Sequence, residues 1–222
     1  MRRIPEYSGT LRSHRLEAPA ATYECSGIIV FGRRIKSLVF STDVAIIKNI
    51  NTDAVIAVYP FTPQPSISQA IVTAADVPVF MGVGGGLTAG DRSVRLAAEA
   101  ENQGAFGVVV NAPIDPTVIT RIKTLVDIPV VATIVSDKQD IAQRIQAGAD
   151  ILNVSAAADT ANVVSFIRQT YPDIPIIATG GPTEETIRET IRAGANAITY
   201  TPPTNGELFA QSMREYRERY AL

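Results

Sequence analysis

The side chains able to do chemistry in this sequence fall where short apolar runs stop. Asn111 follows Val108-Val109-Val110, and Asn153 interrupts Ile151-Leu152 and Val154, with Ser155 two places on. An amide at the end of an apolar strand costs free energy unless it is hydrogen-bonded. In an extended chain Asn153 and Ser155 share a face with Ile151. If that face is the inner one, both reach a ligand, as orienting groups or partners of an oxyanion. The structural alternative is a polar layer that fixes loops by bonding backbone. Asp43 and Asp91 each stand at the head of a helical segment. They are the best proton carriers on offer, because few ionisable groups compete, and they are equally suited to capping those helices.

Two glycine groups could hold an anion. Gly84-Gly85-Gly86 precedes a long helical run, and Gly180-Gly181 precedes Pro182-Thr183-Glu184-Glu185. Glycine lets a ligand touch backbone, and a helix start offers free N–H groups. The alternative for both is a tight strand-to-helix turn. Absences narrow the chemistry further. Lys36 opens a strand and Lys48, Lys123 and Lys138 fall on helices, so no lysine stands where a Schiff base would form. The one histidine, His14, lies in the N-terminal stretch, which disfavours imidazole metal sites and Ser-His-Asp triads. Paired carboxylates at strand ends, as glycosidases need, are missing. We expect neither a metal nor a cofactor.

A regular frame must position these groups. Apolar, β-branched runs at residues 37–41, 54–59, 77–83, 105–111, 129–135, 149–155, 175–179 and 195–200 alternate with helix-period segments at 43–49, 66–75, 90–103, 117–126, 137–147, 160–171, 182–192 and 206–220. Such alternation signals βαβ units and a parallel sheet. Eight units favour closure, predicting an α/β fold of the (β/α)8 TIM-barrel kind. Ser136 with Gln139 fits a capping box for the fifth helix. Internal repetition supports the frame. Asp76-Val77-Pro78, Asp127-Ile128-Pro129 and Asp173-Ile174-Pro175 recur with prolines 51 and 46 residues apart, and Gly104, Gly148 and Gly194 recur 44 and 46 apart before the intervening strands. Each glycine reads as a helix stop and each proline as a strand start, so the repeat is two βα units. A barrel of this kind works at the C-terminal ends of its strands. Those ends offer, besides the residues above, Ser41, Thr42, Tyr59, Thr62, Gln64, Thr88, Thr133, Thr179, Thr199, Tyr200 and Thr201.

The 222 residues fit one domain, with residues 1–34 as an N-terminal arm and hairpin and 35–222 as the barrel. A short helix is expected near residues 18–25, and residues 27–31 form a hairpin or plug beneath the barrel. Apolar residues are 46% of the chain, enough for a sizeable core, and the net charge of −2 favours no particular partner. The charge is uneven, however. Arg2, Arg3, Arg12, Arg15, Arg33, Arg34 and Lys36 crowd the start against Glu6, Glu17 and Glu24, which suits a solvated arm, an oligomer contact or an anionic partner. The single Cys25 fits a reducing cytoplasm and a buried thiol. No apolar run approaches the ~18 residues of a membrane span.

At Ala178-Thr179-Gly180-Gly181-Pro182 and the Ala195-Asn196-Ala197-Ile198 run, the chain resembles the aldolase-type, ribulose-phosphate-binding-like barrels over about residues 35–220. The resemblance implies that Gly180 and Gly181 grip a substrate phosphate. Such barrels often carry a second phosphate loop after the eighth strand. Here that place holds Thr201-Pro202-Pro203-Thr204, where the hydroxyls of Thr201 or Thr204, or the amides of Asn205 and Gly206 at the start of the last helix, would have to serve. The chain also looks like bacterial barrels that carry a hydrolase label and, more loosely, like the antiterminator proteins of glycerol operons. The expectation is therefore a small-molecule enzyme binding a phosphorylated or carboxylated metabolite at the barrel mouth, of isomerase or lyase type before hydrolase. Asp43, Asp91, Asn111, Asn153 and Ser155 would act on it, and Gly84, Gly85, Gly86, Gly180, Gly181 and Thr201 would hold its anion. A homo-oligomer is expected. The alternative is a ligand-sensing regulator; RNA binding is disfavoured by the lack of an RNP-type aromatic motif.

Overall fold

The computed structural model describes Pro5, Tyr7, Gly9, Thr10, residues 16–85 and residues 87–220. His14 and Gly86 lie outside the described residues. A 3-10 turn at Ala20–Glu24 leads into a hairpin of β1 (Ile28–Val30) and β2 (Arg33–Ile35). Then the alternation begins: β3 (Ser37–Phe40), α1 (Val44–Asn49), β4 (Ala54–Ala57), α2 (Pro65–Ala74), β5 (Val79–Gly82) and α3 (Asp91–Asn102). It continues with β6 (Gly107–Val110), α4 (Pro116–Lys123), β7 (Val130–Ile134), α5 (Ile141–Gln146), β8 (Ile151–Val154) and α6 (Thr160–Thr170). The last units are β9 (Ile176–Thr179), α7 (Glu184–Arg192), β10 (Ala197–Tyr200) and α8 (Asn205–Tyr220). Strands β3 to β10 pair in parallel in chain order, and β10 closes on β3. The fold is an α/β barrel of the (β/α)8 kind with an N-terminal hairpin.

Period-2 alternation divides the core in two. Leu38, Ile56, Phe80, Val109, Val131 and Ile151 fill the barrel interior, and Ile28, Val30 and Ile35 of the hairpin close it from below. Their neighbours Val39, Val55, Met81, Val108, Val130 and Leu152 face outward into the layer beneath the helices. The hairpin is thus a plug: Phe31 meets Phe106 edge to face at 5.3 Å between ring centroids.

The repeat read in the sequence is a repeat of hydrogen bonds. The carbonyls of Pro78, Pro129 and Pro175 accept from the N–H groups of Val55, Val108 and Leu152 at 2.8, 2.9 and 3.0 Å. A polar residue just before the second strand of a pair clamps the first. Asp53 accepts from the Lys36 and Ser37 amides at 2.8 and 3.1 Å, Asp150 from Val130 at 2.8 Å, and Asn196 from Ile176 at 2.9 Å. In the β5–β6 pair the equivalent residue is Phe106. Gly104, Gly148 and Gly194, at φ 94°, 110° and 115°, stop α3, α5 and α7.

One helix start differs from expectation. Helix α5 begins at Ile141 under Asp140, whose side chain accepts from Gln143 N at 2.9 Å. Ser136 and Gln139 instead close the preceding turn, by Lys138 N to Ser136 Oγ at 3.2 Å and Val135 N to Gln139 Oε1 at 2.6 Å. An aspartate next to the helix displaces the more distant serine as cap.

The arm lies in the gap between α7 and α1. Ala21 N donates to Glu184 Oε2 at 2.9 Å, Arg188 pairs with Glu24 at 2.8 Å, and Leu16 N reaches Asn49 O at 2.9 Å. Ala21 and Cys25 are buried in the outer core layer beside Ile46, Ile187 and Ile198.

Candidate functional site

The inner faces of β6 to β10 carry a run of polar side chains where they leave the barrel. Period 2 from the interior residues Val109, Val131, Ile151, Ile177 and Ala197 brings Asn111, Thr133, Asn153, Thr179 and Thr199 inward. Thr133 pairs in register with Asn153, and Thr179 with Thr199. Asn111, Thr133, Asn153 and Thr179 are half-buried, and their side chains make no hydrogen bond among the described residues. Thr199 is 6% exposed, and its Oγ1 is buried without a partner. Two amides and three hydroxyls therefore face the mouth with their hydrogen-bonding capacity unspent. A buried polar group without a partner is costly and uncommon. The inner side of β3 to β5 is apolar by contrast, through Phe40 and Val58.

A cavity of about 720 Å³ opens over the apolar side, lined among others by Asp43, Tyr59, Gly84, Gly85, Asn111, Thr201 and Thr204. Asp43 is the N-cap of α1, and both its capping bonds, from Ala45 N at 2.8 Å and Ile46 N at 3.3 Å, go to Oδ1. Oδ2 is left for a ligand. Asp43 is also the only charged side chain on this wall among the described residues. Gly84 and Gly85 leave little room beside them: a β-carbon on Gly85 would lie 2.7 Å from Phe61 O and 2.8 Å from Tyr59 O.

A second cavity, about 970 Å³, opens beside β9 and β10 and is lined by Thr179, Gly181, Thr199 and Thr201 with Glu17, Glu184, Glu207 and Arg214. The loop from Thr201 to Thr204 stands between the two cavities and lines both. Gly180 is buried, and a β-carbon there would meet Ile187 Cγ1 and Ile198 Cγ2 at 2.7 Å. The start of α7 is already closed by a capping box between Thr183 and Thr186, and Glu184 and Glu185 occupy its first turn. Thr204 and Glu207 close α8 in the same manner, with Thr204 N to Glu207 Oε2 at 2.7 Å and Glu207 N to Thr204 Oγ1 at 3.2 Å. An anion at either helix start meets carboxylates as well as amides.

The remaining candidates scatter. Asn153 and Ser155 leave β8 on the inner face but line neither cavity; Ser155 is exposed, and its N–H donates to Ile134 O at 2.8 Å. Asp91 is exposed at the start of α3, lines neither of these cavities, and pairs with Arg121 at 2.6 Å. That hydrogen bond and charge hold its carboxyl below the usual carboxylate value, which suits a permanent ion pair better than proton transfer. The structure thus gathers Asp43, Gly84, Gly85, Asn111 and Thr201, sets Gly181 in the adjoining cavity, and leaves Asp91 outside. Thr133, Thr179 and Thr199, which the sequence offered as strand-end residues, join Asn153 on the inner face. Among the described residues no group of three or more His, Cys, Asp or Glu could hold a metal ion, and no helix is long and apolar enough to cross a membrane.

No protein-family model and no curated protein matches the sequence. Solved structures do match the fold. The glycerol uptake operon antiterminator regulatory protein from Listeria monocytogenes is 15% identical over 76% of this chain and 92% of its own, with a TM-score of 0.61. A 3-hexulose-6-phosphate synthase is 17% identical over 74% of this chain and 89% of its own, at 0.57. Phosphonopyruvate hydrolase, solved with oxalate and Mg²⁺, is 12% identical over 87% of this chain and 96% of its own, at 0.58. Likeness at this level of identity shows the fold, a (β/α)8 barrel.

Proposed function

We propose that this chain binds a small carboxylated or phosphorylated metabolite in the cavity over β3 to β6 and moves a proton on it. Isomerase or lyase chemistry comes first and hydrolysis second. The observation that carries this reading is the convergence of Asp43, Asn111 and Thr201 on one cavity of about 720 Å³ at the strand ends. That volume suits a small-molecule site, as does an apolar wall with few polar groups. Asp43 Oδ2 is the proton acceptor, and the Asn111 amide orients the ligand or steadies developing negative charge. No lysine or arginine lines this cavity among the described residues, so a singly charged carboxylate suits it better than a phosphate dianion. The barrels of similar fold that act on a hexulose phosphate and on phosphonopyruvate support this ligand class.

Thermal unfolding against carboxylates and phosphate esters tests the reading. A ligand at ~100 times its dissociation constant adds about 2.7 kcal/mol of stability. A shift lost in Asn111→Ala supports it. A shift that survives Asn111→Ala and vanishes in Gly181→Asp moves the ligand to the cavity beside β9 and β10. The absence of any shift sinks the proposal. A second reading, a ligand-sensing barrel, draws on one observation: the ionisable side chains of the mouth cavity are Asp43, already serving as a cap, and Tyr59. Binding without turnover would favour it, and salt-dependent RNA binding lost on removing residues 1–26 would complete it.

A further inference from the structure

Helix α8 runs sixteen residues and buries none of them. Phe209, Met213, Tyr216 and Tyr220 are 68%, 42%, 52% and 75% exposed. Their spacing of four, three and four is that of a coiled-coil seam. A surface helix ordinarily turns such a stripe onto its own core. Here the N-terminal arm already fills the gap between α7 and α1, with Ala21 and Cys25 in the core layer where a closing helix would pack. The stripe is therefore left outside.

We propose that it is an interface with a second copy of this chain, α8 lying antiparallel on the partner's α8 about a two-fold axis between Met213 and Tyr216. The charges choose both the occupant and the direction. The helix carries Glu207, Glu215 and Glu218 against Arg214, Arg217 and Arg219, a balance that gives an anionic membrane surface no purchase and lets two copies of the helix meet without net repulsion. Arg217 and Arg219 flank the seam in the last turns. A parallel pair would crowd four guanidinium groups at one end. The antiparallel pair sets them beside Ala210 and Ser212 of the opposite copy, at the end that holds Glu207, and opposes the two helix dipoles. The contact is isologous and closes at two copies.

Sedimentation equilibrium of the full chain is expected to give twice the 23.7 kDa of one copy. Met213→Glu should weaken self-association at least about tenfold, and its thermal midpoint should fall by no more than the stability that association lends the parent. The double variant Met213→Cys, Tyr216→Cys should cross-link two copies on mild oxidation; the native Cys25 is buried and does not compete. A single-copy mass at high protein concentration overturns the proposal, as does a dimer that persists in Met213→Glu. A dimer abolished equally by Leu87→Glu, at the barrel rim, would place α8 on the partner's barrel and overturn the helix-on-helix arrangement. Sedimentation of the chain with anionic vesicles as single copies would overturn it too.

Discussion

A β-carbon placed on Gly84 would lie 2.7 Å from Oδ1 of Asn111 and 3.0 Å from its Cγ. The second residue beyond β5 thus sets the position of the amide at the end of β6. Gly84→Ala must push the Asn111 side chain out of the cavity. Overpacking of this kind costs about 1–3 kcal/mol, measurable by urea unfolding. Asn111→Ala removes an amide with no partner in the protein and should cost less, while weakening ligand binding as much. Equal binding by both variants and the parent would separate this pair from the site.

Substitution separates the capping role of Asp43 from the proton transfer proposed for it. Asp43→Ala loses the α1 cap and should destabilise by about 1 kcal/mol. Asp43→Asn keeps a capping oxygen and loses the base, so stability should hold while turnover falls about 10²–10⁴-fold. If Asp43→Asn turns over as fast as the parent, the proton acceptor lies elsewhere.

Burial pushes the Cys25 thiol up from its ordinary 9.0 to about 11, with nearby Lys36 pulling partly the other way. The native protein should resist thiol reagents that label the unfolded chain at once. The folded state also keeps this proton to higher pH than the unfolded one. The thiol's contribution is therefore complete below pH 9 and declines as pH rises towards 11, at about 1.4 kcal/mol per unit. Unfolding free energies of the parent and Cys25→Ala, compared across that window, isolate the effect. Parallel pH profiles would contradict it.

Gly180 and Gly181 should respond differently to alanine. At Gly180 the new carbon meets two buried isoleucines, Ile187 and Ile198, and a loss of about 1–3 kcal/mol is expected. Gly181 is exposed at φ 80°, so alanine brings backbone strain of about 1 kcal/mol and a contact at 2.7 Å with Thr186 Oγ1, an atom of the capping box, outside the core. Differential scanning calorimetry should rank Gly180→Ala the less stable.

The barrel was legible because its period is written twice, once in the alternation of each strand and once in the recurring Pro78, Pro129 and Pro175. Each of those prolines serves the same hydrogen bond, so the same local physics selects it three times. The inward direction of Asn153 was legible too, since it follows from parity with Ile151. The start of α5 was not: Ser136 and Gln139 have capping-box spacing, and only the folded turn shows that Asp140 lies closer to the helix. Asp91 looked like a mouth residue because it opens a helix after a strand. Its carboxylate is engaged by Arg121 on the next helix, and nothing local encodes that pairing. The arm's position beside α7 was hidden as well, because residues 1–26 have no periodicity to betray what they cover.

The polar clamps at the foot of the barrel are unevenly shared. Asp53 ties β4 to β3, Asp150 ties β8 to β7, and Asn196 ties β10 to β9, but between β5 and β6 the corresponding position is spent on Phe106 and its contact with the plug. That pair is stitched by sheet hydrogen bonds and apolar packing, and it carries Gly84 and Asn111 at its far end. The barrel therefore has a seam, and backbone amides along it should exchange with solvent sooner than those of the three riveted pairs.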